Sequence, residues 1–148
     1  MEGTLVIVYF RPNDVEVVDE FLKVVHGFSD MLLVLCDPKG GAKENMASIN
    51  TLAVNTGMSF LELPNFKQVL DLFSPNRVVK IELSKQGKFD PTEIAAELND
   101  GKTDVVVFGD SLKEIKGDAM YIEESMGPVG ACAVVLHGID KFVIRKET

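Results

Sequence analysis

Two short segments in the C-terminal half of the chain have residue types suited to holding a polar ligand. Residues 108–112 (FGDSL) follow an apolar run directly, and the glycine there lets a ligand approach the backbone closely. Residues 125–130 (SMGPVG) lead into an apolar stretch of helical character, and a helix start leaves several backbone N–H groups free. These segments could cradle an amino-acid carboxylate or the edge of an adenine ring. They could equally be two ordinary strand-to-helix turns.

Several well-defined catalytic and nucleotide-binding motifs are missing from the sequence. It contains no GxGxxG, no GxxxxGK[ST], no GxSxG and no HExxH, which disfavours dinucleotide-binding, P-loop, hydrolase and zinc-protease sites. Cys36 and Cys132 lie in apolar runs outside any CxxC or Cys/His spacing, so we expect buried thiols in a reducing cytoplasm and no metal site. His26 and His137 each fall near the predicted end of a helix, where a cation interacts favourably with the helix dipole.

Length and composition indicate one ordinary globular domain over residues 1–148. Hydrophobic residues make up 46% of the chain and charged residues 26%. The N-terminus lacks a signal-peptide pattern, and its apolar run is too short to span a bilayer, so we expect a cytoplasmic protein without a membrane segment. The net charge of −8 disfavours a dedicated nucleic-acid-binding module but does not exclude RNA as a substrate, because local patches decide that question.

Strand and helix signals alternate along the whole chain. Continuous rather than alternating apolar runs are typical of parallel strands that are buried on both faces. Strands are predicted over residues 5–10, 31–36, 58–63, 78–83, 105–108 and 120–122. Helices are predicted over residues 15–25, 43–55, a short stretch after 65, 90–100 and 128–138, the last ending at Gly138. This order predicts an α/β fold with a mostly parallel sheet and helices on both faces.

The predicted topology also says where a ligand would bind. In parallel sheets ligands lie outside the carboxyl ends of the strands, here the loops 37–41, 84–88, 109–117 and 123–129. The predicted helix over 43–55 has an unusually polar side for a helix packed on a sheet. Glu44, Ser48, Thr51 and Asn55 recur at steps of three and four along it.

Three segments, in order, resemble the motifs of SpoU-type RNA methyltransferases of the SPOUT superfamily. Residues 45–57 resemble the first motif, a helix that starts near an asparagine and ends at a glycine. Residues 104–110 resemble the second motif, an apolar strand that ends in a glycine loop. Residues 117–122 followed by 125–136 resemble the third motif, a short strand that leads into an alanine-rich helix.

The resemblance implies a SPOUT-like fold with a C-terminal trefoil knot, S-adenosylmethionine as cofactor and a homodimer built on the knot helices. It implies RNA, either rRNA or tRNA, as the substrate. The positions that match the family's cofactor pocket are Leu83, Ser84, Phe108, Gly109, Asp110, Ile122, Met126, Gly127 and Val129.

The catalytic positions depart from the family pattern. Thr51 stands where the family has an arginine implicated in ribose 2′-O-methyl transfer, and Ser111 and Gly127 replace a glutamate and an asparagine. Asn45 and Ser125 match the family, so the candidate catalytic residues are Asn45, Thr51 and Ser125. Thr51 supplies neither a base nor a cation for activating a ribose hydroxyl.

Three functional hypotheses therefore remain open. The first is an active RNA methyltransferase, with Lys39, Lys43, Lys85 and Lys88 near the same sheet edge to meet phosphates, although these lysines could simply be a solvated rim. The second is a non-catalytic knotted dimer that binds S-adenosylmethionine or RNA. The third is an unrelated doubly wound α/β domain that binds a nucleotide or a protein.

Overall fold

A six-stranded parallel sheet forms the centre of the protein, and the computed structural model describes residues 3–28 and 31–144. The strands stand in the order β3-β2-β1-β5-β4-β6. Every pairing between these strands is parallel, which confirms the predicted sheet. The bounds of the strands are β1 Thr4–Phe10, β2 Met31–Cys36, β3 Leu61–Leu63, β4 Arg77–Ser84, β5 Thr103–Phe108 and β6 Asp118–Glu123.

Helices cover the two faces of the sheet unequally. Their bounds are α1 Val15–His26, α2 Gly40–Glu44, α3 Met46–Thr56, α4 Phe66–Phe73, α5 Thr92–Asn99 and α6 Gly127–Phe142. α1, α3, α5 and α6 bury their apolar sides in the larger core. The smaller core on the opposite face contains Val69 of α4 together with Leu112 and Ile115 from the loop between β5 and β6. No helix in the described ranges has both the length and the apolarity needed to cross a bilayer.

The apolar run of β1 is buried on both faces, as its lack of alternation predicts. Leu5, Ile7 and Tyr9 point into the larger core, and the intervening residues point into the smaller one. Because β1 lies between β2 and β5, no edge of it faces solvent. The ring of Tyr9 lies 4.6 Å from that of Phe21, whose other neighbour is Phe108 at 5.4 Å. This aromatic cluster fixes α1 against the carboxyl ends of β1 and β5.

Side-chain caps set the starts of two helices. Asp14 Oδ1 accepts hydrogen bonds from the backbone N–H groups of Glu16 and Val17, so Asp14 caps α1. Asn65 Oδ1 accepts from the N–H of Gln68 at the start of α4. Both caps lie at the carboxyl edge of the sheet, and they fix where the chain leaves β1 and β3.

The predicted helix over residues 43–55 is two helices. α2 begins at Gly40, inside the segment predicted as a turn, and Asn45 separates it from α3 with φ −111° and ψ 21°. The side-chain amide of Asn45 donates to the carbonyl of Gly41, and this local bond competes with a continuous helix. Gly57 ends α3 in the left-handed conformation, as predicted. The third strand is shorter than predicted because residues 58–60 do not pair with β2.

The prediction that the last helix ends at Gly138 is wrong. α6 continues to Phe142, so His137 lies within the helix and not at its end. A Cβ at Gly138 would lie 3.3 Å from the ring of Phe89, so the glycine lets α6 approach the segment before α5. Asn99 then holds the end of α6, since its Nδ2 donates to the carbonyl of Phe142 at 3.1 Å.

Candidate ligand-binding site

The carboxyl ends of β5, β4 and β6 lie side by side. β4 and β6 are paired up to their last residues, with Leu83 opposite Ile122 and Ser84 opposite Glu123. β5 lies on the other side of β4 and ends at Phe108, from which the chain turns at Gly109. The sheet order therefore brings together three loops that the sequence places far apart.

A cavity of about 350 Å³ opens at this edge, within the usual size range of small-molecule sites. It is lined by Glu82, Leu83, Ser84, Gly109, Asp110, Leu112 and Tyr121. Four of these, Leu83, Ser84, Gly109 and Asp110, are predicted cofactor contacts. None of the described residues that line the cavity is a lysine or an arginine, whereas two carry carboxyl groups. The cavity therefore suits a ligand with a positively charged group.

A narrow slot adjoins the cavity on the side covered by α6. It has a volume of about 10 Å³ and is lined by Ile81, Leu83, Phe108, Gly109, Asp110, Pro128 and Ala131. Space of this size accommodates no more than a water molecule. Leu83, Gly109 and Asp110 line both spaces, so any ligand in the larger cavity touches the backbone at the mouth of the slot.

Gly109 allows two backbone segments to approach very closely. A Cβ built on it would lie only 2.6 Å from the carbonyl oxygen of Phe10 and 3.2 Å from the side chain of Leu112. No other residue fits there without moving β1 away from β5. The close approach explains why the loop after β5 turns sharply enough to expose Asp110 at the mouth of the cavity.

The remaining predicted cofactor contacts surround this cavity less directly. Ile122 is buried beside Leu83 through strand pairing. Met126 is exposed, and Gly127 and Val129 flank Pro128 at the start of α6. Gly127 has φ 66°, and nothing lies within 4 Å of where its Cβ would stand. The start of α6 therefore has open space above it, next to the slot.

Tyr9 lies beneath this region. Burial first, and then the negative charges of Asp110 and Asp14, raise the pKa of its hydroxyl to about 12. The hydroxyl is thus protonated at neutral pH and available only as a hydrogen-bond donor or acceptor, not as a base.

The three candidate catalytic residues do not come together within this chain. Ser125 lies in the 3₁₀ turn Glu124–Met126, and both its backbone N–H and its hydroxyl donate to Glu123 Oε2. Asn45 is exposed between α2 and α3. Thr51 is exposed on α3, and its hydroxyl donates to the carbonyl of Ala47 at 2.9 Å. Neither Asn45 nor Thr51 lines the cavity or the slot.

Sequence reasoning missed several residues that line the cavity or the slot, notably Glu82, Tyr121 and Pro128, and it missed Glu123 as the hydrogen-bond partner of Ser125. Strand alternation could have indicated the first two. Ile81 and Ile122 point into the core, so Glu82 and Tyr121, each one position away, must point to the opposite face. Glu123 could not be found this way, because its role depends on the turn that follows β6.

The four predicted RNA-facing lysines, Lys39, Lys43, Lys85 and Lys88, are all exposed. Lys39 pairs with Asp37 at 3.1 Å. Lys88 forms an antiparallel bridge with Tyr121, so residues 85–88 fold back along β6 next to the cavity. Among the described side chains, no group of three or more histidine, cysteine, aspartate and glutamate residues could hold a metal ion.

Several solved structures that share this fold are described as methyltransferases or methylases. A SpoU methyltransferase, AviRb from Streptomyces viridochromogenes, matches with a TM-score of 0.65 at 11% identity, over 95% of this chain and 60% of its own. A protein studied for 2-OH methylation of C/U34 on tRNA matches with a TM-score of 0.63 at 15% identity, over 96% and 97%. A probable methylase family protein from Haemophilus influenzae Rd KW20 has a TM-score of 0.68 at 12% identity, over 96% and 67%.

The resemblance seen in the sequence is thus confirmed at the level of the fold, which is that of the SpoU-type methyltransferases. No curated protein sequence matches the chain. A family model described as RecB-family nuclease (DUF2122) matches residues 40–138, from the start of α2 into α6. Because this match covers more than half of the sequence, the chain belongs to the family described as RecB-family nuclease (DUF2122).

Proposed function

We propose that the protein binds S-adenosylmethionine and transfers its methyl group to RNA, with a ribose 2′-hydroxyl as the acceptor. The observation that carries the proposal is the acidic cavity of about 350 Å³ at the carboxyl ends of β4, β5 and β6. S-adenosylmethionine has a positively charged sulfonium and a positively charged α-ammonium group. Glu82 and Asp110 would offset these charges, and no described basic residue lines the cavity to oppose them.

The fit of the cofactor rests on the backbone as well as on charge. Leu83, Ser84 and Gly109 line the cavity, and the glycine, which has no side chain, lets a ligand lie against the strand end. Ile122, Met126, Gly127 and Val129 would complete the pocket, with Phe108 on the side of the slot. When bound, the cofactor supplies a methyl group on an electrophilic sulfonium centre.

The residues of this chain that could assist methyl transfer are Glu123 and Ser125. The Glu123 carboxylate accepts from both the N–H and the hydroxyl of Ser125, so the two side chains hold each other at the carboxyl end of β6. A carboxylate in this place can accept a proton from an incoming hydroxyl, and the serine orients it. Of the predicted catalytic residues Asn45, Thr51 and Ser125, we assign Ser125 the orienting role and Glu123 the role of proton acceptor, and we assign Thr51 no role within one protomer.

The wider assembly forms part of the same proposal. We expect one domain over residues 1–148, a trefoil knot in the C-terminal half, a homodimer and a cytoplasmic location. The knot and the dimer follow from the resemblance to the SpoU-type methyltransferases, and α6, which would carry the dimer contact, packs on α1 and α5 within the chain. The substrate would be rRNA or tRNA, with the exposed lysines of residues 85–88 next to the cavity.

A specific observation also favours a second candidate, a module that binds S-adenosylmethionine or RNA without catalysis. Thr51, at the position of the family's arginine, is occupied by a hydrogen bond within its own helix and lies outside the cavity. The two candidates share the cofactor site and differ only in turnover.

Calorimetric titration with S-adenosylmethionine and S-adenosylhomocysteine tests the cofactor site. Glu82→Gln should lower the affinity for S-adenosylmethionine about fivefold and lower the affinity for S-adenosylhomocysteine less, because only S-adenosylmethionine carries the sulfonium charge. Glu62→Gln is the matched control, since Glu62 is exposed on β3 at the opposite edge of the sheet. No heat of binding for either ligand would reject the proposal.

Methyl transfer from labelled S-adenosylmethionine to bulk RNA then separates the two candidates. The active enzyme should label RNA, and Ser125→Ala and Glu123→Gln should each lower the rate. Cofactor binding without any labelled RNA would favour the non-catalytic module.

A further inference from the structure

Two acidic residues, Asp37 and Glu114, fix the orientation of the planar guanidinium group of Arg11. Its Nε lies 3.0 Å from Asp37 Oδ2, and its two terminal nitrogens lie 2.7 and 3.0 Å from the two oxygens of Glu114. The Glu114 pair is bidentate, which is the geometry that best fixes the orientation of an arginine. The pKa of Arg11 is raised by the hydrogen bonds to Glu114 and then to Asp37, so the group is always charged.

One face of this planar group is covered by an aromatic ring. The carbon at its centre lies 4.7 Å from the centroid of the Phe10 ring, so the phenyl ring supports one face through a cation–π contact. The Arg11 side chain is nevertheless 37% exposed. Because the carboxylates occupy the edges and Phe10 occupies one face, we infer that the opposite face is the one available to a ligand.

The backbone positions Arg11 for this role. Arg11 and Asp37 directly follow the adjacent strands β1 and β2, and both have the left-handed conformation, with φ of 51° and 52°. Their N–H groups still bond to the carbonyls of Cys36 and Leu63, so each residue extends the sheet pairing by one position before the chain turns. Glycine adopts such a conformation without strain, so the presence of a charged side chain at both positions suggests a use for them.

A cavity of about 300 Å³ opens beside this arginine. Most of its lining surface is apolar, and its lining residues include Arg11, Phe66, Lys67, Glu114, Ile115 and Lys116. Lys67 and Lys116 are both exposed there, where they can meet negative charge on a ligand.

The cavity lies close to the proposed cofactor site but is separate from it. Gly109, Asp110 and Leu112 line the cofactor cavity, and Glu114 to Lys116, in the same loop, line this one. Phe10 connects the two, since its ring supports Arg11 and its carbonyl meets the backbone at Gly109.

We propose that the open face of the Arg11 guanidinium is a stacking platform for a base of single-stranded RNA, and that the cavity between Phe66 and Ile115 receives this base. A fixed guanidinium plane backed by a ring stacks well on a nucleobase, whose flat faces are apolar and whose edges are polar. Lys67 and Lys116 would contact the phosphates that flank this base. The choice of RNA as ligand rests on the proposed function, whereas the stacking site itself does not require catalysis.

Fluorescence anisotropy with two labelled probes tests the platform. The first probe is a short oligoadenylate, and the second is an abasic ribose-phosphate chain of the same length and charge. Arg11→Lys keeps the positive charge but removes the planar guanidinium group. It should therefore lower the affinity for the oligoadenylate about tenfold and leave the affinity for the abasic probe unchanged. Arg77→Lys is the matched control, because Arg77 is also held by carboxylates, those of Glu93, Glu97 and Asp118, but at the opposite edge of the sheet.

Three outcomes would overturn the platform. The first is that the wild-type protein binds no oligoadenylate at low salt. The second is that Arg11→Lys lowers the affinity for both probes equally, and the third is that it lowers the affinity for neither. Equal losses would mean that Arg11 contacts phosphate and does not stack. Glu114→Gln, at an exposed position, weakens the contact that orients the Arg11 guanidinium but keeps the arginine. This variant should lower the affinity for the oligoadenylate by less than Arg11→Lys does and leave the affinity for the abasic probe unchanged.

The proposed function fails separately. If the wild-type protein binds no S-adenosylmethionine but shows the base-dependent effect at Arg11, the platform stands and methyl transfer does not. If the protein binds S-adenosylmethionine but Arg11→Lys has no base-dependent effect, the cofactor site stands and the stacking platform does not.

Discussion

The side chains of Asp104 and Glu97 lie next to each other at the amino edge of the sheet, opposite the proposed cofactor site. Asp104 is completely buried at the start of β5. Asn76 Nδ2 lies 3.4 Å from Asp104 Oδ1, and Arg77 Nη2 lies 2.7 Å from Glu97 Oε1. Asp104 Oδ2 and Glu97 Oε2 have no hydrogen-bond partner in the described part of the chain, and one proton shared between the two carboxyl groups would satisfy both.

The proton belongs to Asp104. Burial first, and then the hydrogen bond and charge of Glu97, raise the pKa of Asp104 to about 7. Burial also acts to raise the pKa of Glu97, but hydrogen bonds from Asp104 and Arg77 outweigh it and lower that pKa. The pair therefore carries one negative charge below neutral pH, opposite Arg77.

This pair predicts that stability falls as the pH rises towards 7. An unfolded aspartate loses its proton near pH 4, whereas folded Asp104 keeps it until about pH 7, so the folded state binds more protons between these values. We expect the free energy of unfolding contributed by this group to drop by roughly 2 kcal/mol between pH 5 and pH 8. Urea unfolding at pH 5, 6, 7 and 8 measures the change.

Asp104→Asn is the control for this dependence. The amide is neutral at every pH and can donate to Glu97 as the protonated acid does. The free energy of unfolding of this variant should fall much less between pH 5 and pH 8 than that of the wild type, and the variant should be more stable than the wild type at pH 8. An unchanged slope in Asp104→Asn would assign the pH dependence to other groups.

Gly127 and Gly57 offer a matched test of the cofactor pocket. Both have a left-handed φ, of 66° and 70°, and a Cβ added at either glycine would meet no atom within 4 Å. Gly57→Ala should cost about 1 kcal/mol of stability, whereas Gly127→Ala should cost up to about 3 kcal/mol, because Gly127 has ψ 177° and lies in a backbone region that essentially only glycine adopts. Only Gly127→Ala should weaken S-adenosylmethionine in calorimetric titration, because Gly57 ends α3 away from the cavity. Equal affinities in the two variants would remove Gly127 from the pocket.

Thr51 provides a test of which residues assist catalysis. Because its hydroxyl bonds to Ala47 in an exposed helix, Thr51→Ala should leave stability unchanged or raise it by up to about 0.5 kcal/mol. We expect the rate of RNA methylation to be unchanged in Thr51→Ala and lowered in Ser125→Ala, measured with labelled cofactor at saturation. A loss of rate in Thr51→Ala would mean that α3 completes a site, and a second protomer would be the means of bringing it there.

The larger elements of the fold could be predicted because each depends on local patterns. β1 and β2 are continuous apolar runs of strand length, and Gly57 and Asp14 mark helix ends through local backbone and capping chemistry. Gly138 misled the prediction because a glycine within a helix looks like a cap when its packing partner, Phe89, is distant in the sequence.

The site was only partly predictable for a related reason. Gly109 and Asp110 follow a strand directly, so their place at the carboxyl edge could be read from the sequence. The pairing of Arg11 with Glu114 joins residues 103 positions apart, and no spacing rule indicates it. Such contacts depend on the strand order, which places β1 beside β5.

The exposed side of α6 predicts where a second copy would bind. Val134 is 40% exposed in the middle of this helix and Met126 at its start is 48% exposed, whereas Ala131, Val135 and Ile139 on the other side of the helix are buried in the core. If α6 forms the proposed dimer interface, Val134→Asp places an unpaired charge in it and should convert the dimer to a monomer in sedimentation velocity experiments. Val54→Asp is the matched control, because Val54 is 79% exposed on α3 and should leave the dimer intact. Dissociation by both variants, or by neither, would place the interface elsewhere, and a monomeric wild type would remove the dimer from the proposal.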